Sequence, residues 1–168
     1  MKNNIVLCGF MGCGKSTVGR ILAQRLNYGL KASDVCIEQR ENITVSEIFA
    51  THGEEYFRKA ETEVIKELSL QKNIVIATGG GAVLNPDNAS ALRNGGTVFF
   101  LDVTPETVIE RLKDDTSRPL LQREDKASAV RKLLDFRRPK YMNAAHFTVD
   151  ANRSAADVAN NILEILNR

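Results

Sequence analysis

Eight residues, Gly9-Phe10-Met11-Gly12-Cys13-Gly14-Lys15-Ser16, follow the apolar run Ile5-Val6-Leu7-Cys8 and precede Val18, Ile21, Leu22 and Leu26 at helical spacing. A continuously apolar run of this length reads as a strand buried on both faces, which calls for a parallel sheet covered by helices. The glycines let the chain wrap closely round an anion, so that backbone N–H groups and the start of the next helix point at it. The spacing GxxxxGK[ST] therefore predicts an ATP-phosphate loop formed by Gly12, Cys13, Gly14, Lys15, Ser16 and Thr17. Lys15 is expected to bridge the β- and γ-phosphates. Ser16 is expected to place its hydroxyl on a largely hydrated Mg²⁺. Cys13 holds a position where only backbone is needed, so no chemistry is assigned to its thiol.

The remaining chain repeats the same alternation. Helical patterns at about 35–41, 44–51 and 53–70 lead to a second buried strand, Ile74-Val75-Ile76-Ala77, which stops at Thr78-Gly79-Gly80-Gly81. A third strand, Val98–Leu101, is followed by Thr104-Pro105, a cap with proline at the first helical position, opening a helix to about Lys113. Residues 114–124 are charged and unpatterned and read as a mobile loop. Val130, Leu133, Leu134 and Arg137 mark a helix over about 125–141, and a strand at His146–Val149 precedes a helix opened by Ser154. The expected architecture is a three-layer α/β/α domain with a parallel sheet.

With 168 residues the chain is long enough to bury about 68–70% of its unfolded surface, so neither metal nor disulfide is required for folding. Twenty-three Lys plus Arg against twenty-one Asp plus Glu, scattered along the chain, argue against a nucleic-acid partner. Cys8, Cys13 and Cys36 form no CxxC pair and read as small apolar fillers in a reducing compartment. The start of the chain has no signal-peptide or membrane-spanning pattern, so no membrane role and a cytoplasmic location are expected. His52 and His146 are isolated and are expected to be surface or packing residues.

A phosphate loop serves many enzymes, and the other motifs narrow the choice. Taken in order, the loop through Gly19, Ser33-Asp34 with Ile37-Glu38, Phe57-Arg58 with Glu61, Ala77-Thr-Gly-Gly-Gly-Ala82, Arg118-Pro119-Leu120-Leu121 and Arg137-Arg138-Pro139-Lys140-Tyr141 resemble shikimate kinase. The resemblance runs from about residue 4 to the last helix. It implies a nucleoside-monophosphate-kinase-like fold with a five-stranded parallel sheet, acting as a monomer that passes the γ-phosphoryl group of ATP to the 3-hydroxyl of shikimate. It also implies that Asp34 binds ring hydroxyls and orients or deprotonates the nucleophile, that Arg58 and Arg137 hold the carboxylate, and that Glu61 orients Arg58. Gly79, Gly80 and Gly81 supply close backbone donors to the acceptor. Arg137 is chosen over Arg138 because the family arginine stands four residues before the tyrosine, leaving Arg138 as a surface charge. Arg118 lies in the segment matching the family lid, over about 114–124, and is expected to reach the transferring phosphate. Arg111 and Arg153 fall where the family places arginines beside adenine. Taken singly, Arg58 could be a surface arginine paired with Glu61 or Glu54, and Asp34 a helix cap.

Two positions depart from the pattern. The family usually has Asp-[Ser/Thr]-Asp where this chain has Ala32-Ser33-Asp34, and Lys31 replaces an apolar strand residue. Weaker Mg²⁺ handling is expected, unless another carboxylate, such as Asp102, contributes. The alternatives are a related small-molecule kinase, such as a gluconate kinase, or a nucleotide-binding homologue impaired by Ala32.

Overall fold

The structure is a computed structural model that describes residues 3–115, 118, 121 and 124–168. Five strands, β1 (Asn4–Cys8), β2 (Gly29–Ala32), β3 (Ile74–Ala77), β4 (Gly96–Asp102) and β5 (Phe147–Asp150), form one parallel sheet in the order β2-β3-β1-β4-β5. The three central strands are the three apolar runs, and Val6, Leu7, Val75, Ile76, Phe99 and Phe100 are sealed from solvent. Helices α1 (Lys15–Leu26) and α7 (Ala155–Leu166) pack together. In the second helical group, α4 (Pro86–Gly95) lies against both α3 (Val45–Leu70) and α6 (Lys126–Ala144). Helix α2 (Ser33–Glu41) packs on α3, and α5 (Pro105–Arg111) on α6.

Strand β2 explains Lys31. It is the sheet edge, its register sets Lys31 beside Ile76, and residues Gly29–Lys31 are exposed. An edge strand has no need of an apolar run, and a lysine there discourages pairing with another chain. The strand thus forms where the sequence pattern was poorest.

Three helix boundaries follow local chemistry. Thr44, Thr104 and Ser154 each accept a hydrogen bond from the backbone N–H three residues on, at 3.2, 3.3 and 3.2 Å. Gly53, at φ 85° and ψ 174°, interrupts α3 and divides it into the two helical stretches that the periodicity predicts. Helix α5 ends at Arg111, two residues before the expected Lys113. The sequence analysis assigned nothing between the glycine turn and β4, where a 3₁₀ turn (Ala82–Leu84) and α4 lie. The overlooked signal is Asn85-Pro86-Asp87, whose Asn85 side chain accepts from Asp87 N–H at 2.9 Å. It is the same device as Thr104-Pro105.

From β1 the chain runs out to the edge strand β2, returns through β3 on one side of β1 and crosses to β4 on its other side, so the carboxyl ends of β1, β2, β3 and β4 border one crevice. That is where ligands bind in open α/β sheets.

Candidate active site

The loop between β1 and α1 is built for an anion. Gly12 (φ 75°) and Gly14 (φ 95°) adopt the left-handed conformation that side chains disfavour. Gly14 caps α1 without any side-chain hydrogen bond, and the first turn of α1 has no acidic residue. The helix therefore offers its initial N–H groups and the positive end of its dipole. Lys15 Nζ donates to Gly9 O at 2.6 Å and Phe10 O at 3.2 Å, which holds the ammonium across the mouth of the loop. Cys13 is buried, with Sγ 3.6 Å from Lys15 Nζ.

One cavity joins this loop to the expected acceptor residues. It is lined by Lys15 and Ser16, by Ala32 and Asp34 from the β2–α2 junction, by Arg58 and Glu61 from α3, by Gly79–Gly81, and by Arg118 and Arg137. Val35, Val45, Phe49 and Phe57 add an apolar wall. The sequence analysis missed Val35, Val45 and Phe49, and quoted Phe57 only beside Arg58, because an apolar side chain in a wall reads like one in a core.

Two of the three glycines of the turn have a definite steric reason to lack a side chain. A Cβ on Gly79 would stand 2.6 Å from Asp34 Oδ1, and one on Gly81 would stand 2.7 Å from Arg58 Nη2. One on Gly80 would meet Arg137 Nη1 at 3.5 Å, an ordinary contact. The turn thus clears space for two charged groups, Asp34 and Arg58. Gly79 N–H is also engaged within the protein, donating to Ser33 Oγ at 2.9 Å. This corrects the expectation that all three glycines supply donors to the acceptor.

Arg58 Nη1 donates to Glu61 Oε1 at 2.8 Å, Glu54 lies 3.6 Å from Nε, and the guanidinium stacks over Phe57 at 5.2 Å. Glu61 is buried beneath it. Arg137 lies over the Phe10 ring at 5.9 Å. Asp34 Oδ1, Glu61 Oε2 and Arg137 Nε are buried atoms with no hydrogen-bond partner among the described residues. Burial pushes the Asp34 carboxyl above its ordinary range, with Lys15 the strongest opposing charge and Glu38 reinforcing the rise. Burial likewise raises Glu61, opposed by its hydrogen bond from Arg58. Removing water thus disfavours both carboxylates, and the cations around them restrain the shift.

A second cavity, lined by Gly12, Gly14, Thr17, Arg111 and Arg153, opens on the other side of the loop. Arg111 donates to Gly12 O at 3.0 Å, Ala151 O at 2.7 Å and Arg153 O at 3.1 Å, tying the phosphate loop to the segment after β5. Arg118 pairs with Asp115. Of the expected lid over 114–124, Pro119 and Leu120 lie outside the described residues, as do 116, 117, 122 and 123. Arg138, expected to be a plain surface charge, grips both oxygens of Asp102, at 3.2 and 2.6 Å. Asp102 is therefore paired with α6, and it lines neither the acceptor cavity nor the cavity beside Arg111.

The comparisons with known proteins agree with one another. A family model described as shikimate kinase matches residues 11–167. The shikimate kinase of Caldicellulosiruptor saccharolyticus is 47% identical over 140 residues, 83% of this chain and 81% of that protein. A solved structure of shikimate kinase from Acinetobacter baumannii in complex with shikimate superposes with a TM-score of 0.92 at 42% identity, covering 98% of this chain and 92% of that one. A gluconokinase from Sinorhizobium meliloti superposes at 0.61 with 18% identity, covering 99% and 93% of the two chains, a likeness of fold alone.

Proposed function

The chain belongs to the shikimate kinase family and is an ATP-dependent kinase of shikimate; from that premise we propose that it phosphorylates the 3-hydroxyl, with the roles that follow. The products are shikimate 3-phosphate and ADP, a step towards chorismate and the aromatic amino acids. The observation that carries the assignment of roles is the single cavity that joins Lys15 and Ser16 to Asp34, Arg58 and Arg137. A small polyhydroxylated carboxylate needs cations at one end and an acceptor for its hydroxyls at the other, and both lie within reach of the phosphate loop.

Arg58 and Arg137 hold the carboxylate, and Phe57 and the apolar wall face the ring. Asp34 accepts a hydrogen bond from the attacking hydroxyl. With its carboxyl raised by burial, it can take the proton as the oxygen–phosphorus bond forms. Lys15 and the loop N–H groups carry the γ-phosphoryl oxygens. Arg118, which lines the same cavity and pairs with Asp115, meets the charge that spreads over those oxygens in the transition state. Gly12, Cys13, Gly14, Ser16 and Thr17 hold the other phosphates, and Arg111 and Arg153 border the base. The donors present fit a mostly hydrated Mg²⁺ carried by ATP: Ser16 at the start of α1 offers a hydroxyl to the cavity. Mg²⁺ supplies charge neutralisation of the phosphates when bound. Ala32 makes this support weaker than a carboxylate there would. As the resemblance implies, the enzyme acts as a monomer, and its proposed location is the cytoplasm; among the described residues no helix is long and apolar enough to cross a membrane.

ADP release should require shikimate and should not be supported by gluconate or nucleoside monophosphates; Lys15→Met should abolish it. Turnover that ignores shikimate would sink the acceptor assignment, and persistence in the Lys15 variant would sink the phosphate site. Light scattering should give the 18.6 kDa mass of one chain.

A further inference from the structure

The glycine turn is gripped from two sides by groups to which no role has been assigned. Ser33, buried at the start of α2, accepts from Gly79 N–H at 2.9 Å. Tyr141, buried on α6, donates its phenol hydrogen to Gly80 O at 2.6 Å. The tyrosine ring is itself fixed against Phe100 of β4, with centroids 5.1 Å apart. Each grip stands beside an acceptor group. Ser33 immediately precedes Asp34 on α2, and Tyr141 lies one helical turn beyond Arg137 on α6.

We propose that Ser33 and Tyr141 are positioning residues that together fix the Gly79–Gly81 turn, and through it the relative placement of Asp34, Arg58 and Arg137 around the acceptor. The reasoning is geometric. The turn has no side chains of its own to hold it, and its shape is set by what bonds its backbone. The turn backbone passes so close to Asp34 and Arg58 that a Cβ on Gly79 or Gly81 would stand only 2.6 or 2.7 Å from them, so the position of the turn sets the space left to two charged groups. Neither Ser33 nor Tyr141 lines the cavity, so neither contacts the acceptor. Pro139, between Arg137 and Tyr141, cannot donate to Asp135 O, which leaves α6 one hydrogen bond short where the turn is held. The phenol bond to Gly80 therefore joins the turn to the helix where the helix is least restrained by its own ladder.

This inference rests on the shikimate reading, and its test separates the two. KM for shikimate and for ATP would be measured for the wild type, Ser33→Ala, Tyr141→Phe and the double variant, with Tm recorded for each. Tyr141→Phe keeps the ring on Phe100 and removes only the hydroxyl. Each single change should raise KM for shikimate about tenfold and leave KM for ATP within about twofold, as expected for one lost hydrogen bond acting on one subsite. The double variant should fall well short of the product of the two effects, because both act on the same three-residue turn. Lower Tm with unchanged shikimate KM, equal rises in both KM values, or strictly multiplicative effects would each overturn the proposal. If Tyr141→Phe does not fold, Ser33→Ala decides by the same selective shift in KM. A wild type that turns over ATP without using shikimate would overturn the functional reading and this inference with it.

Discussion

Gly81→Ala isolates the connection between the glycine turn and the carboxylate-binding arginine. Gly81 sits at φ −101° and ψ 0°, a conformation open to alanine, so the substitution brings no backbone strain. Its consequence is steric: the new methyl would lie 2.7 and 2.8 Å from the two terminal nitrogens of Arg58 and 3.1 Å from Cζ. The guanidinium must move, and it is not free to move without cost. It donates to Glu61 at 2.8 Å, a carboxylate whose other oxygen already lacks a partner. A hydrogen bond to a charged group contributes about 1.5–3 kcal/mol, and a displaced Arg58 loses that quantity twice, once towards Glu61 and once towards the carboxylate of the acceptor. Stability should therefore fall by about 1–3 kcal/mol, and KM for shikimate should rise by about 10- to 150-fold at nearly constant KM for ATP. Coupled ADP-release kinetics at saturating ATP, with thermal melts in parallel, would measure both. Two controls sharpen the reasoning. Gly80→Ala, whose methyl meets Arg137 only at 3.5 Å, should be much milder. Gly81→Ala in an Arg58→Ala background should add almost nothing, since its target is gone. An unchanged shikimate KM in Gly81→Ala, or full additivity with Arg58→Ala, would refute the steric argument.

Further outcomes follow from the same geometry. Asp34→Asn should lower kcat by about 10²–10⁴-fold, the range for loss of a positioned base, while raising Tm at pH 7–8, because an isosteric neutral group is less costly to bury. Asp34 and Glu61 are both raised by burial, so the folded state binds more protons than the unfolded chain above the ordinary carboxylate pKa. Their contribution to stability is full below that pKa and is lost as pH rises through the folded values. The Tm difference between the wild type and Asp34→Asn should therefore shrink as pH is lowered towards 4, and a gap independent of pH would show that ionisation is not its source. Ala32→Asp should raise turnover at limiting Mg²⁺, by up to about tenfold, with little gain at saturating Mg²⁺; unchanged turnover would show that a carboxylate there is irrelevant. Cys8, whose thiol burial pushes up to about 12, should resist iodoacetamide at pH 8 in the folded protein, whereas half-buried Cys36 is labelled first, as peptide mapping would show.

The parts legible in sequence were those where local pattern and tertiary role coincide. β1, β3 and β4 are apolar because helices cover them, and the capping side chains mark α5 and α7 because a helix start must satisfy its own N–H groups. β2 was obscure because an edge strand answers to one neighbour only, so Lys31 carried no strand signal. α4 lacks a helical period although Asn85-Pro86-Asp87 announces it, because Leu92 is its one large apolar side chain and it shares the buried face with Asn88. Arg137 and Arg138 are adjacent and chemically alike, and the difference between them is angular. About 100° of helical rotation sends one to the cavity and the other to Asp102. Ser33 and Tyr141 gave no sign of holding the turn, since both contacts join residues 46 and 61 positions apart.

That distance in sequence bears on how the site works. Three of the four buried side-chain atoms without a partner among the described residues, Asp34 Oδ1, Glu61 Oε2 and Arg137 Nε, belong to residues that line one cavity, and they come from three different helices. Unsatisfied buried polar atoms are costly, so three in one place mark groups whose hydrogen bonds are completed by what binds there. An acceptor bearing hydroxyls and a carboxylate can supply a donor for Asp34 and a counter-charge for Arg137. Binding should thus stabilise the protein beyond the contacts it adds, by relieving groups that the fold leaves short. Shikimate alone should raise Tm measurably in the absence of ATP, and the rise should shrink in Asp34→Asn and Arg137→Ala. A cavity that needed nucleotide to order it would show no such rise until ATP was added, and that result would refute the preformed acceptor site described here.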